Sequence, residues 1–200
     1  MKKIYSLLTL FVVSMTCSFA QVLPNPGFEA WTHSTFPLYD DPNNWNTLNP
    51  TTGLVGVITC SKATAAAEHH AGAAAVKLVT KSVSGQIANG IVTTGTINTS
   101  TQTIGGGLPY TLRPDSIIGF YRYTPVSGDN GFVELQLLGS GGDTDTIGYA
   151  RFMTPTTTVG SFMRFAVAIN YRSAAAVAKD RKSTRLNSSH SDRSRMPSSA

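Results

Sequence analysis

Met163-Arg-Phe-Ala-Val-Ala-Ile-Asn-Tyr171 is the stretch that decides the fold class. Met163, Phe165, Val167, Ile169 and Tyr171 fall on one side of an extended chain, and Arg164, Ala166, Ala168 and Asn170 on the other. This is period-two alternation, which a half-buried β-strand satisfies and a helix does not. Phe132–Leu138 repeats the pattern, with Val133, Leu135 and Leu137 expected inward and Glu134 and Gln136 outward. Ile117–Tyr123 is a third strand, entered through the turn Arg113-Pro114-Asp115. Weaker strand patterns occupy 54–60, 74–80, 85–92 and 144–152.

Between these runs stand turn-forming clusters, Gly105-Gly-Gly107, Ser127-Gly-Asp-Asn-Gly131 and Gly139-Ser-Gly-Gly-Asp143. Only Lys62–Ala71, rich in alanine and stopped by Gly72, suits a short helix or a turn. Short strands spaced by turns predict an all-β, antiparallel β-sandwich, with one domain over 21–179 and no internal boundary or repeat.

The two ends of the chain read differently. Met1–Ala20 combines Lys2 and Lys3, the apolar run Leu7–Val13 and a small-residue cleavage pattern at Ser18-Phe19-Ala20. That is the form of a signal peptide, and the apolar run is too short to span a bilayer. A secreted or cell-surface protein without membrane insertion is expected. Thr16 before Cys17 fits a lipid-anchoring site poorly. With Cys17 removed, Cys60 is the single remaining thiol, so no internal disulfide is available and stability rests on a buried core.

Asp180-Arg-Lys-Ser-Thr-Arg-Leu-Asn-Ser-Ser-His190 resembles the in-frame translation of a common sequencing adapter. Ser194-Arg-Met-Pro-Ser-Ser-Ala200 is similar to the same adapter's continuation. Residues 180–200 are therefore expected to be an artefactual, disordered tail, with the β domain truncated at its C-terminus. Without leader and tail, nine basic residues face nine acidic ones and the +5 net charge vanishes. No basic excess is left to neutralise phosphates, so nucleic acid is not an expected partner.

Asn25-Pro-Gly-Phe-Glu-Ala-Trp31, then Trp45, then His70-Ala-Gly72 leading into an alternating strand resemble the opening of jelly-roll carbohydrate-binding modules. The closer resemblance is to a secreted bacterial family, the putative carbohydrate metabolism domain. It is carried by Gly107-Leu-Pro-Tyr-Thr-Leu-Arg-Pro-Asp115, Gly119-Phe-Tyr-Arg-Tyr-Thr-Pro-Val126 and Gly128-Asp129 and spans about 25–171. The resemblance implies a jelly-roll β-sandwich that handles carbohydrate. It also implies closing strands after Tyr171, whose loss would leave an unpaired sheet edge and poor solubility. Glu29 is the ligand such modules would use for a structural calcium between the opening and closing strands.

Sugars offer hydroxyls to bidentate polar groups and C–H patches to aromatic rings. If the alternating apolar residues face the core, Arg122, Glu134, Gln136, Arg164 and Asn170 are expected to line one polar groove. Trp31 and Trp45 serve either as sugar platforms or as core filler. Other chemistries have weaker support. Glu134, set among Val133 and Leu135, is the best candidate acid for glycoside cleavage, but no motif ties a second carboxylate to it. Glu29, Asp129, Asp143 and Asp145 sit mostly in turn-like contexts. Adjacent His69 and His70 diverge on either a strand or a helix and chelate poorly. Gly105-Gly-Gly107 lacks the lysine of a phosphate loop, and no serine nucleophile elbow occurs. The expected function is an exported, non-catalytic module binding glycan or cell-surface carbohydrate. The alternatives are a structural or adhesive surface module of a longer secreted protein, and a glycoside-active enzyme using Glu134.

Overall fold

A computed structural model describes residues 23–172 and 182–187. The expected signal peptide, Cys17 and the tail outside 182–187 lie beyond the described residues. Among the described residues strand dominates, at 47 % against 7 % helix, and the pairings are antiparallel, so the fold is all-β as its alternation requires. No described helix is long and apolar enough to cross a membrane.

In chain order the strands are β1 (Trp31–Thr35), β2 (Leu38–Pro42), β3 (Asn46–Thr47), β4 (Cys60–Ala63), β5 (Ala75–Leu78), β6 (Lys81–Val83), β7 (Gln86–Ala88) and β8 (Ile91–Thr93). Then come β9 (Thr96–Asn98), β10 (Thr103–Gly105), β11 (Ser116–Tyr123), β12 (Phe132–Leu138), β13 (Thr146–Met153), β14 (Val159–Ala168), β15 (Asn170–Tyr171) and β16 (Lys182–Asn187). One sheet has six strands in the order β15-β13-β12-β16-β8-β3, and the others are two-stranded pairs, including β1–β2, β4–β5 and β11–β14.

The core forms where the two strongest alternation patterns meet. Leu135 and Leu137 of β12, with Ile147 and Ala150 of β13, cluster with Tyr110 and Ile169. Ile117 and Val167 of the β11–β14 pair pack onto this cluster. Phe152 of β13 stacks on Phe165 of β14 at 4.7 Å between ring centroids, and Tyr121 meets Phe152 at 4.8 Å. Gly119 lies opposite Phe165, where an added Cβ would approach Cε1 of that ring to 2.7 Å. The glycine makes room for the ring.

A second, polar centre organises the N-terminal part. Asn49 is fully buried. Its Oδ1 accepts from the Thr59 and Cys60 amides at 3.0 and 3.1 Å. Its Nδ2 donates to the Cys60 carbonyl at 2.8 Å and to Asp41 Oδ1 at 2.9 Å. Thr47 Oγ1 donates to the same Asp41 oxygen at 2.7 Å and accepts from the Asn49 amide at 3.0 Å. One side chain thus joins β2, the turn after β3 and β4, with its polar atoms satisfied as burial demands.

Several expectations are corrected. Residues 54–60 are not a strand. Pro50 starts a helical turn, α1 (Asn49–Thr52), which a 3-10 turn (Gly53–Val55) extends until Gly56 ends it at φ +74°. Proline's fixed φ favours that first-turn position and outweighs the apolar run that follows. The 85–92 pattern divides into β7 and β8, separated by Asn89-Gly90. Of the short helix or turn expected over Lys62–Ala71, the turn is what forms, after the end of β4.

Residues 182–187, expected to be disordered, form β16 between β12 and β8. β12 is thereby paired on both sides, by β13 and by β16. Pairing through main-chain hydrogen bonds makes little demand on side-chain identity.

Candidate functional site

Alternation along β11 and β14 turns Ile117, Gly119, Tyr121, Phe165 and Val167 to the core, and thereby turns Phe120, Arg122 and Arg164 outward. Phe120 lies directly opposite Arg164. Opposed side chains on one face of an antiparallel pair have Cβ atoms within about 5.5 Å, so the two side chains leave the sheet side by side. Arg164 is exposed and makes no hydrogen bond or ion pair to another described residue.

The segment between β4 and β5 lies over this face. Arg122 Nη1 donates to the Ala67 carbonyl, and the His70 ring stacks on Phe120 with 3.6 Å between centroids and 11° between planes. Phe162 adds an edge contact to His70 at 6.0 Å. His70 is exposed and Phe120 keeps 47 % of its surface in solvent, so the stacked pair presents ring area outward.

The same segment is tied to the N-terminus by Glu29. Its Oε2 accepts from the Ala73 amide at 3.0 Å. A Cβ on Gly72, at φ +73°, would stand 1.9 Å from Glu29 Oε1. Asn25-Pro-Gly-Phe-Glu29 and His70-Ala-Gly72, 40-odd residues apart in the chain, therefore meet through a carboxylate that only glycine lets so close. The partner carboxylate expected to share a calcium with Glu29 lies outside the described residues, which contain no group of three or more His, Cys, Asp or Glu able to hold a metal ion.

Glu134 occupies the outer face of the other layer and is only 5 % exposed, contrary to the half-solvated position expected for it. Tyr149 donates its hydroxyl to Glu134 Oε2 at 2.8 Å, Gln136 Nε2 donates to Oε1 at 3.0 Å, and Arg151 Nη1 stands 3.5 Å from Oε2. Burial, reinforced by the Glu134 carboxylate, pushes the Tyr149 phenol above its ordinary value of 10. Arg151 in turn covers the Phe132 ring at 4.0 Å. Gln136, Tyr149, Arg151 and Asn170 share this face with Glu134, and none of them is a second carboxylate. Paired-carboxylate glycoside cleavage needs one at about 5–9.5 Å.

The expected single groove is therefore two surfaces. Arg122 and Arg164 stand on the outer face of β11–β14, whereas Glu134, Gln136 and Asn170 stand on that of β12–β13–β15, with the core between. Alternation gives all five outward parity, yet Glu134 is buried, and which sheet carries each depends on long-range pairing.

Trp45 is core filler. It is 6 % exposed, 5.0 Å from Phe28, and donates through Nε1 to the Pro24 carbonyl at 3.1 Å. Trp31 is half-buried and donates to the Phe28 carbonyl. Sequence reasoning missed Phe120 and His70 as a unit. The turn carrying His70 and the strand carrying Phe120 are fifty residues apart, and only the Phe120–Arg122 parity hinted at a shared face.

No family model matches the chain, and neither a curated protein nor a solved structure is found similar to it.

Proposed function

We propose that this chain is an exported, non-catalytic module whose β layers form a jelly-roll sandwich and whose outer surface binds glycan or cell-surface carbohydrate. It belongs, on this reading, with the putative carbohydrate metabolism domain. The observation that carries the proposal is the exposed His70–Phe120 stack beside Arg164. A ring surface for sugar C–H groups and a planar donor for hydroxyls lie side by side, the combination saccharide recognition requires.

A non-catalytic role is supported by Glu134, which is buried and engaged by Tyr149, Gln136 and Arg151, none of the described residues paired on its face being a second carboxylate. A structural or adhesive module is the second reading. Its support is a solvent-facing apolar group at the β1–β2 turn and the following helical turn, where Phe36 is 86 % and Leu54 63 % exposed.

Pull-down on a panel of insoluble and immobilised glycans tests the proposal. Retention that is lost in Phe120→Ala and Arg164→Ala is the expected result. Uniform failure to bind refutes it in favour of adhesion. Glycan turnover abolished by Glu134→Gln refutes the absence of catalysis.

A further inference from the structure

We infer that the β11–β14 surface takes a carboxylated polysaccharide, a chain of hexuronic acid units, rather than a neutral one. This rests on the glycan-binding reading and deepens it. The domain as a whole balances nine basic against nine acidic residues, yet this face does not share that balance. Its outward positions hold Arg122 and Arg164, while Ser116, Ile118, Ala166 and Ala168 contribute no charge.

Glu68, the carboxylate in the covering segment, is already bound to Lys77 Nζ at 2.8 Å. Lys77 and Arg122 together hold its carboxyl below the usual range. Arg122 is partly committed to holding the segment through the Ala67 carbonyl. Arg164 has no such commitment among the described residues, and its planar fork matches a carboxylate bidentately.

The shape fits the same ligand. Beside Phe120, the register places Ile118 against Ala166 and Ser116 against Ala168. Two alanines in a row make a low floor running along the strands, with Ile118 60 % exposed on one side. An extended polysaccharide lying on that floor would set one ring against the His70–Phe120 stack and bring its carboxylate to Arg164. Arg122 acts here as a positioning residue, since it keeps His70 over Phe120.

Calorimetric titration of the protein at physiological salt, with polygalacturonate and with its highly methyl-esterified form, separates the possibilities because only the charge differs. The expected result is binding to polygalacturonate that weakens about tenfold or more on esterification and on Arg164→Ala. Arg164→Lys should recover part of the loss, and Phe120→Ala should weaken both ligands. Equal binding of the two forms overturns the anionic preference and leaves glycan binding standing. Loss in Arg164→Ala with no change in Phe120→Ala marks unspecific charge attraction and overturns the site. Binding to neither form, with binding to neutral glycans, overturns this inference alone. Binding to no glycan at all overturns both readings.

Discussion

Asn49→Ala is the sharpest test of how the N-terminal part is held. The substitution strips partners from the buried amides of Thr59 and Cys60, from the Cys60 carbonyl and from Asp41 Oδ1. A buried polar group left unpaired costs about 1–3 kcal/mol. Four such groups, partly relieved by entering water and by the Thr47 hydroxyl that still reaches Asp41, give a loss of about 4 kcal/mol. With a urea slope of about 2 kcal/mol per molar, the unfolding midpoint should fall by about 2 M.

Asn49→Asp should be no milder, because it removes the donors to Cys60 and adds a carboxylate beside Asp41. Urea titration followed by near-ultraviolet circular dichroism reads both variants. A midpoint shift below about 0.5 M in Asn49→Ala would show that this network does not hold β2 to β4, and would refute the reasoning.

Other outcomes follow from neighbouring features. Burial, the largest influence, raises the Asp41 carboxyl above its ordinary 3.8 despite hydrogen bonds from Thr47 and Asn49 that lower it. A carboxyl raised on folding binds its proton more tightly in the folded state, so its contribution is fully present below pH 3.8 and lost as pH rises through the higher folded value. Asp41→Asn should flatten that decline in a pH series of urea midpoints, and an unchanged slope would contradict it. Cys60 is fully buried and its thiol is pushed far up by burial. In a Cys17→Ser background, a thiol reagent should therefore label the native protein no faster than it unfolds, and rapid native labelling would be the contrary result. Gly72→Ala should destabilise by about 2 kcal/mol, combining a positive φ with the collision against Glu29. In a Glu29→Ala background the cost should shrink to the backbone part, and strictly additive effects in the double-mutant cycle would show that the two do not touch.

The covered slot in the six-stranded sheet bears on solubility. β16 pairs with both β12 and β8 and fills the gap between them. Deleting 182–187 would separate these strands and expose the β12 edge. That deletion should increase light scattering on storage relative to the full chain.

Much of the fold was legible from local pattern, because a strand half in water must alternate and local spacing records that requirement. β12 coincides with the run Phe132–Leu138, and Phe165 and Ile169 are buried as their parity demands. Met163 breaks the rule at 51 % exposure, near the end of its pairing with β11, where the register shifts. Parity tells inside from outside and says nothing of which sheet a strand joins. Arg122 and Glu134 consequently looked like neighbours, whereas they stand on opposite outer faces. Burial of Glu134 and the meeting of His70 with Phe120 depend on contacts between segments far apart in the chain, and no local period encodes those. Alternating side chains by themselves determined that this polypeptide pleats and which atoms seek oil or water. Only the tertiary pairing, chosen by the summed fit of distant surfaces, decided which outward groups become companions in a site.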